Sequence, residues 1–196
     1  MARPAAPRSR QGGLIRCIAI MVLVTIILFG LIILIIWLEV RPKLLTFTVE
    51  ESSVHGFHLE KNHINGTFRF SMKSYNPNSK VSVYYNSMNV YVVYDEQTIA
   101  FSDAVVPFFQ PRHNGTQFVV KPVAQPVLLM GSVSRDLRLE EKTGDIEVAV
   151  KVKANIRFRL GIWKSSERTL RVFCSSVVVH ISSAKNFERS YCDVHL

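Results

Sequence analysis

Residues 17–38 read CIAIMVLVTIILFGLIILIIWL and carry no charge. No other feature constrains the chain as much. As a helix rising about 1.5 Å per residue, these 22 residues span roughly 33 Å, enough for a hydrocarbon core of about 30 Å. A soluble helix has no use for apolar side chains on every face. The many β-branched residues do not argue for a strand, because within lipid only a helix satisfies its own backbone. A cleaved signal peptide would have a shorter apolar centre, about 7–15 residues, followed by a small-residue cleavage site. Here the run ends Ile36-Trp37-Leu38-Glu39-Val40-Arg41-Pro42, without a pair of small residues to cut after. The pattern predicts an uncleaved signal anchor over residues 14–38, with Trp37 at an interfacial position.

Charge sets the expected orientation. Residues 1–16 hold Arg3, Arg8, Arg10 and Arg16 and no acid, whereas only Arg41 and Lys43 follow the run closely. The excess of cations places a short basic tail, residues 1–13, in the cytosol, resting on anionic lipid. Residues 39–44 then form a linker, and residues 45–196 lie outside the cell or in the lumen. Two sequons, Asn65-Gly66-Thr67 and Asn114-Gly115-Thr116, fit that side and make Asn65 and Asn114 candidate glycosylation sites. Cys174 and Cys192 form an even pair in an oxidising compartment and are expected to bond. Cys17, at the cytosolic edge of the anchor, suits acylation but reads first as apolar filler. All 15 acids follow the anchor, together with most of the 24 Lys and Arg, so the outer part is only mildly basic. That balance does not suit a nucleic-acid binder.

Beyond Pro42 the apolar period becomes two, the period of a half-buried strand. Leu45, Phe47 and Val49 alternate with threonines, and Phe68, Phe70 and Met72 with Arg69, Ser71 and Lys73. Asn76-Pro77-Asn78-Ser79 ends that strand, since proline lacks a ladder donor and asparagine tolerates turn geometry. Val81, Val83 and Tyr85 begin the next, and Val90–Tyr94 follows. In residues 146–160, Ile146, Val148, Val150, Val152, Ala154, Ile156, Phe158 and Leu160 share one face. Lys151, Lys153, Arg157 and Arg159 share the other, a basic stripe about 27 Å long. Residues 169–181 predict a further strand pair or one bulged strand. Four prolines make residues 103–126 read as largely loop, and residues 127–141 read as a strand or as a short helix through Val133–Arg138. About seven short strands and no long amphipathic helix predict a mainly β chain, an antiparallel sandwich behind a single transmembrane helix.

The stretch NPNSKVSVYYNSMNVYVVYDEQTIAF, Asn76 to Phe101, resembles the signature of the harpin-induced-like membrane proteins of land plants. Their outer domain is of the late embryogenesis abundant group-2 class. The matching residues are Asn76, Pro77, Asn78, Lys80, Tyr84, Tyr85 and the Asp95-Glu96-Gln97-Thr98 step. Phe108-Phe109-Gln110, KANIRFRLGIWK from Lys153, Cys174 and Tyr191-Cys192-Asp193-Val194 extend the likeness over nearly the whole chain. The resemblance implies an immunoglobulin- or fibronectin-III-like sandwich at the plasma membrane, a role in defence or water stress, and no enzymatic activity. Some relatives end in an apolar tail exchanged for a lipid anchor. Here SSAKNFERSYCDVHL carries Lys185, Glu188, Arg189 and Asp193 and does not fit that pattern.

The residues themselves offer no catalytic constellation, whether a phosphate loop, HExxH or GxSxG, and no cofactor is expected. His55 and His58 lack a completing metal-ligand pattern and read as solvated loop residues. Asp95 and Glu96 are adjacent and read as a turn. Of Tyr84, Tyr85, Tyr91 and Tyr94, alternation makes half or more core or interstrand filler, against a carbohydrate platform. Asn76-Pro77-Asn78 reads as a self-satisfying turn. The basic stripe has two readings: a solvated face with cross-strand acid partners, or a surface for an anionic partner such as acidic wall polysaccharide or lipid head groups. The expected function is a non-enzymatic, single-pass plasma-membrane protein acting in defence or stress through protein partners of its outer sandwich. The alternative is a wall- or anionic-surface-binding protective module.

Overall fold

The computed structural model describes residues 11–40, 42–103, 106–181 and 187–196. The tail arginines Arg3, Arg8 and Arg10, together with Arg41 and Lys185, lie outside the described residues. Two compact units divide at Arg41/Pro42. The first is one helix, α1, Gln11–Val40. Its stretch Ile15–Leu38, 24 residues, is long and apolar enough to cross a membrane, and no part of it is buried within the protein. Thr25, a lone hydroxyl in this stretch, donates to the Met21 carbonyl at 2.8 Å. Its polar group is thereby satisfied within the helix, as a membrane-crossing helix would require. This helix fits a single-pass membrane protein.

The second unit is mainly β and antiparallel. In chain order its strands are β1 Thr46–Glu60, β2 His63–Asn76, β3 Ser82–Tyr94, β4 Gln97–Ser102, β5 Phe108–Gln110, β6 Asn114–Val120 and β7 Val123–Leu128. The helix α2, Gly131–Thr143, follows, then β8 Asp145–Leu160, β9 Trp163–Lys164, β10 Arg168–His180 and β11 Ser190–His195. All eleven strands join one sheet, in which β3 pairs with both β4 and β8, and β1 with β2, β10 and β11. The ladder thus returns on itself around a shared core, an arrangement compatible with two sandwiched layers bridged at their edges. The one parallel contact described is Ser53 of β1 with His180 of β10.

Alternation explains which side faces in. On β8, Ile146, Val148, Val150, Val152, Ala154, Ile156 and Phe158 are buried, and the intervening Lys and Arg are exposed. They meet Phe47 and Val49 of β1 and Phe68, Phe70 and Met72 of β2 in one hydrophobic core. Two hairpins turn through paired positive-φ residues, Lys61 (45°) with Asn62 (68°) and Asp95 (44°) with Glu96 (63°). That is the turn type whose twist matches the strands it joins. Asp95 and Glu96 therefore form a turn, as read from sequence.

Three regions differ from expectation. Residues 103–126 hold more strand than expected. Pro107, Pro111 and Pro122 sit just outside β5, β6 and β7, where no ladder donor is lost, and the Pro122 carbonyl accepts from Phe68 N–H at 2.9 Å. The ambiguous stretch resolves into the end of β7 followed by α2, which buries Val133, Ser134 and Leu137. Gly144, at φ 83°, caps α2 by donating to the Glu140 and Glu141 carbonyls. His55 and His58 lie on β1 rather than in a loop, exposed on either side of a bulge that includes Gly56 at φ 62°.

Candidate functional site

The Asn76-Pro77-Asn78 signature sits where β2 ends and β3 is about to begin. Asn76 is fully buried and Asn78 nearly so. The Asn76 side chain donates to the Val81 carbonyl at 2.9 Å and the Pro111 carbonyl at 3.0 Å. Its oxygen accepts from the Asn78 backbone at 3.1 Å and the Asn78 amide at 2.9 Å. Asn78 in turn pairs with Lys43 as a second backbone would, accepting from its N–H at 2.7 Å and donating to its carbonyl at 2.9 Å. Three chain segments are thereby tied at one corner: residues 43, 76–81 and 111.

A second buried group continues this corner. Gln110 donates to the Ser74 and Asn114 carbonyls at 2.8 and 3.0 Å. Its Oε1 accepts from the Tyr85 and Ser74 hydroxyls, both at 3.1 Å. Burial pushes the Tyr85 phenol well above its usual range, so it stays protonated and donates. Tyr85 stacks on Phe108 with centroids 4.3 Å apart. Among the described residues no buried side-chain N or O lacks a partner. The side chains of Asn76, Asn78, Tyr85 and Gln110 are thus all engaged internally, so these residues act as a lock. Tyr84, the neighbour of Tyr85, points outward and is 43% exposed.

The outward face of β8 is built differently. The register sets Lys151 between Tyr91 of β3 and Phe173 of β10, and Lys153 between Asn89 and Arg171. Lys151 Nζ lies 5.7 Å over the Phe173 ring. Arg157 donates to Glu167 at 3.0 Å, and Arg159 to the Gly161 carbonyl at 2.9 Å. Among the four cations of the stripe, Arg157 alone has a described carboxylate partner, and Lys153 instead faces a second cation. The structure adds an aromatic component to the stripe. Tyr84, Phe109, Arg157, Arg159 and Lys164 line an open groove of about 470 Å³. Arg171 and Phe173 were legible as outward residues in the alternation TLRVF, but only the β8–β10 register brings them to the stripe.

Elsewhere, Cys174 of β10 and Cys192 of β11 stand opposite one another, their sulfurs 2.06 Å apart. Closing a loop of 18 residues is worth roughly 3 kcal/mol in the chain-entropy account. Cys17 is exposed. Asn65 and Asn114 are both exposed, Asn65 at a register shift of β2 and Asn114 at the start of β6. Glu50 of β1 receives the Thr48 hydroxyl at 2.7 Å and both Arg189 Nε and Nη2, at 3.0 and 2.7 Å. The Thr48 bond first, then Arg189, hold its carboxyl below the usual glutamate range against the opposing effect of burial. Among the described residues no group of three or more His, Cys, Asp and Glu is placed to hold a metal ion.

A family model for late embryogenesis abundant proteins, LEA_2, matches residues 71–174, from within β2 to the β10 cysteine. The chain belongs to the LEA_2 family. An uncharacterized Arabidopsis thaliana protein is 36% identical over 191 residues, covering 95% of this chain and 86% of its own length. NDR1/HIN1-like protein 3 of the same plant is 30% identical over 179 residues, 88% of this chain and 78% of its own. NDR1/HIN1-like protein 26, also from Arabidopsis thaliana, is 28% identical over 160 residues, 76% and 71% respectively. The LEA_2 match contains Asn76, Asn78, Tyr85 and Gln110, the residues that lock the corner. The harpin-induced-like resemblance read from the sequence is therefore shown, and with it a plant family related to stress and defence.

Proposed function

We propose that this LEA_2 protein is a non-enzymatic, single-pass plasma-membrane protein. Its tail faces the cytosol, and its strand domain lies outside the cell, acting in defence or stress through protein contacts. The observation that carries this reading is the pairing of an apolar helix, Ile15–Leu38, with a compact strand unit whose Asn76, Asn78 and Tyr85 side chains are spent on internal hydrogen bonds. Glycosylation at exposed Asn65 and Asn114 and a Cys174–Cys192 bond belong to the same topology, since both are made on the luminal side. Glycosidase treatment tests it: a mobility shift is expected, and its loss in the Asn65→Gln/Asn114→Gln variant assigns the side. Protease added to intact protoplasts is expected to remove the strand unit, and a protected unit refutes the topology. A plant line lacking the protein is expected to respond abnormally to pathogen or water deficit. Rescue by the full chain, but not by one lacking residues 11–40, tests the role of the anchor.

A second reading draws on the β8 face. Lys153 opposite Arg171, without a carboxylate between them, suits an acidic polymer such as wall polygalacturonate. Salt-sensitive binding of the detergent-solubilised chain, lost on Arg157→Glu/Arg159→Glu substitution, would support it. Absence of such binding removes this reading and leaves the first standing.

A further inference from the structure

The β8–β9 hairpin ends in a two-residue turn, Gly161-Ile162, between Leu160 and Trp163. Gly161 sits at φ 58°, and its carbonyl accepts from Arg159 Nε at 2.9 Å. Ser165 N–H donates to the Phe158 carbonyl at 2.8 Å and Ser165 Oγ accepts from Phe158 N–H at 3.0 Å, so the base of the hairpin is held. Leu160 packs against the core. The tip beyond it does not fold back: Ile162 is 87% exposed and Trp163 76%. Single exposed apolar residues are ordinary, but two adjacent ones on a braced, protruding turn are not.

Their surroundings indicate what meets them. Lys164 follows Trp163 and is exposed. Arg159 and Arg112 line a cavity with Gly161 at the foot of the tip. Glu167, the acid that follows the hairpin, is already engaged by Arg157. Pro111, which lines this cavity, accepts from Asn76 at the corner where Asn78 holds Lys43, three residues after Val40 in the chain. A sugar or peptide ligand would need a concave seat with convergent polar groups, whereas here the apolar part protrudes and the cations ring its base. A protruding aliphatic and tryptophan above a cationic collar match a bilayer interface, where tryptophan sits at head-group depth and cations meet lipid phosphates.

We propose that the β8–β9 tip docks on the outer bilayer surface, with Ile162 and Trp163 in the interface and Arg112, Arg159 and Lys164 against lipid phosphates. The proposal uses the anchored reading for the presence of a bilayer, and its test separates the two. The chain has two tryptophans, so Trp37→Phe leaves Trp163 as the sole reporter. This full-length variant is reconstituted in phosphatidylcholine nanodiscs with and without phosphatidylserine, using brominated acyl chains as quencher. Expected are a blue-shifted Trp163 emission, quenching by brominated lipid and protection from acrylamide. All three should strengthen with phosphatidylserine and weaken with salt. Arg112→Glu/Lys164→Glu should remove the phosphatidylserine dependence, and Ile162→Asp should reduce quenching. Trp163 that stays unquenched and acrylamide-accessible in a chain that co-elutes with discs overturns the proposal. Emission that answers to added polygalacturonate but not to brominated lipid also overturns it. A chain that does not co-elute breaks the anchored reading instead, and the same lipids supplied as vesicles then read the tip.

Discussion

Two polar regions of the strand unit are built on opposite terms. At the Asn76–Gln110 corner, buried amides and hydroxyls meet partners from residues 43, 74, 81, 111 and 114, and nothing is left for a ligand. On the outward face of β8 the polar groups are exposed, and Lys153 faces Arg171 rather than an acid. A satisfied buried network costs much to disturb and recognises nothing, while an exposed like-charge face contributes little to stability and is free to meet a partner. The difference teaches that residues within one family match, 71–174, can serve opposite ends, some closed into the frame and others displayed on its surface. In this chain the signature motif NPN holds the frame on which the basic face is displayed.

The sharpest way to break this comparison is Asn76→Ala. It strands the Val81 and Pro111 carbonyls and the Asn78 donors, and is expected to lower unfolding free energy by about 3–5 kcal/mol in urea titrations. A loss below about 1 kcal/mol would show that the corner is not a lock. Next, Cys192→Ser is expected to cost roughly 3 kcal/mol, with a matching fall in the wild-type chain on reduction. Equal stability of oxidised and reduced chains refutes that expectation.

A smaller effect tests the edge that joins β1 to the chain before β11. Glu50→Gln is expected to cost about 0.5–1 kcal/mol at neutral pH, as a partly exposed ion pair with a hydroxyl partner. The folded carboxyl is held below its ordinary value, so its stabilisation is full above that ordinary value and lost as pH falls through the folded one. The stability curves of the wild type and the Glu50→Gln variant should therefore converge in acid and separate toward neutrality, and parallel curves would contradict the assignment. Smallest of all, Lys153→Glu should change stability by no more than about 0.5 kcal/mol, in the stabilising direction, because it replaces a like-charge cross-strand pair with an opposite one. A clear destabilisation would mean that the stripe is structural after all.

Much of the fold could be read from local pattern. The apolar run, the period-two faces of β2, β3 and β8, the asparagine turn and the Asp95-Glu96 turn all depend on residues within a few positions of one another. The proline-rich stretch misled because proline's effect depends on whether its position would donate to the ladder: Pro122 stands just before β7, and Pro126 falls within it at the register shift opposite Ile64 and Gly66. The stretch before Gly144 was ambiguous because Val133 and Leu137, only two apolar anchors, fix α2 by packing rather than by periodicity. Of the candidate surface, the four β8 cations were visible in the alternation. Arg171, Phe173, Phe109 and the partner of each came only with strand register.

The sequence by itself determined that residues 17–38 form a run long and apolar enough to cross a membrane, that residues 68–72, 81–85 and 146–160 alternate as strands, and which face of each of these is apolar. Those are consequences of composition and period, and no other part of the chain is needed to state them. Only the tertiary structure decided that Asn76, Asn78, Ser74, Tyr85 and Gln110 complete one another, that Arg171 stands beside Lys153, and that Ile162 and Trp163 protrude among cations. The physical reason is that hydrogen-bond satisfaction, charge pairing and exposure are relations between residues distant in the chain, and the pairing of strands sets them.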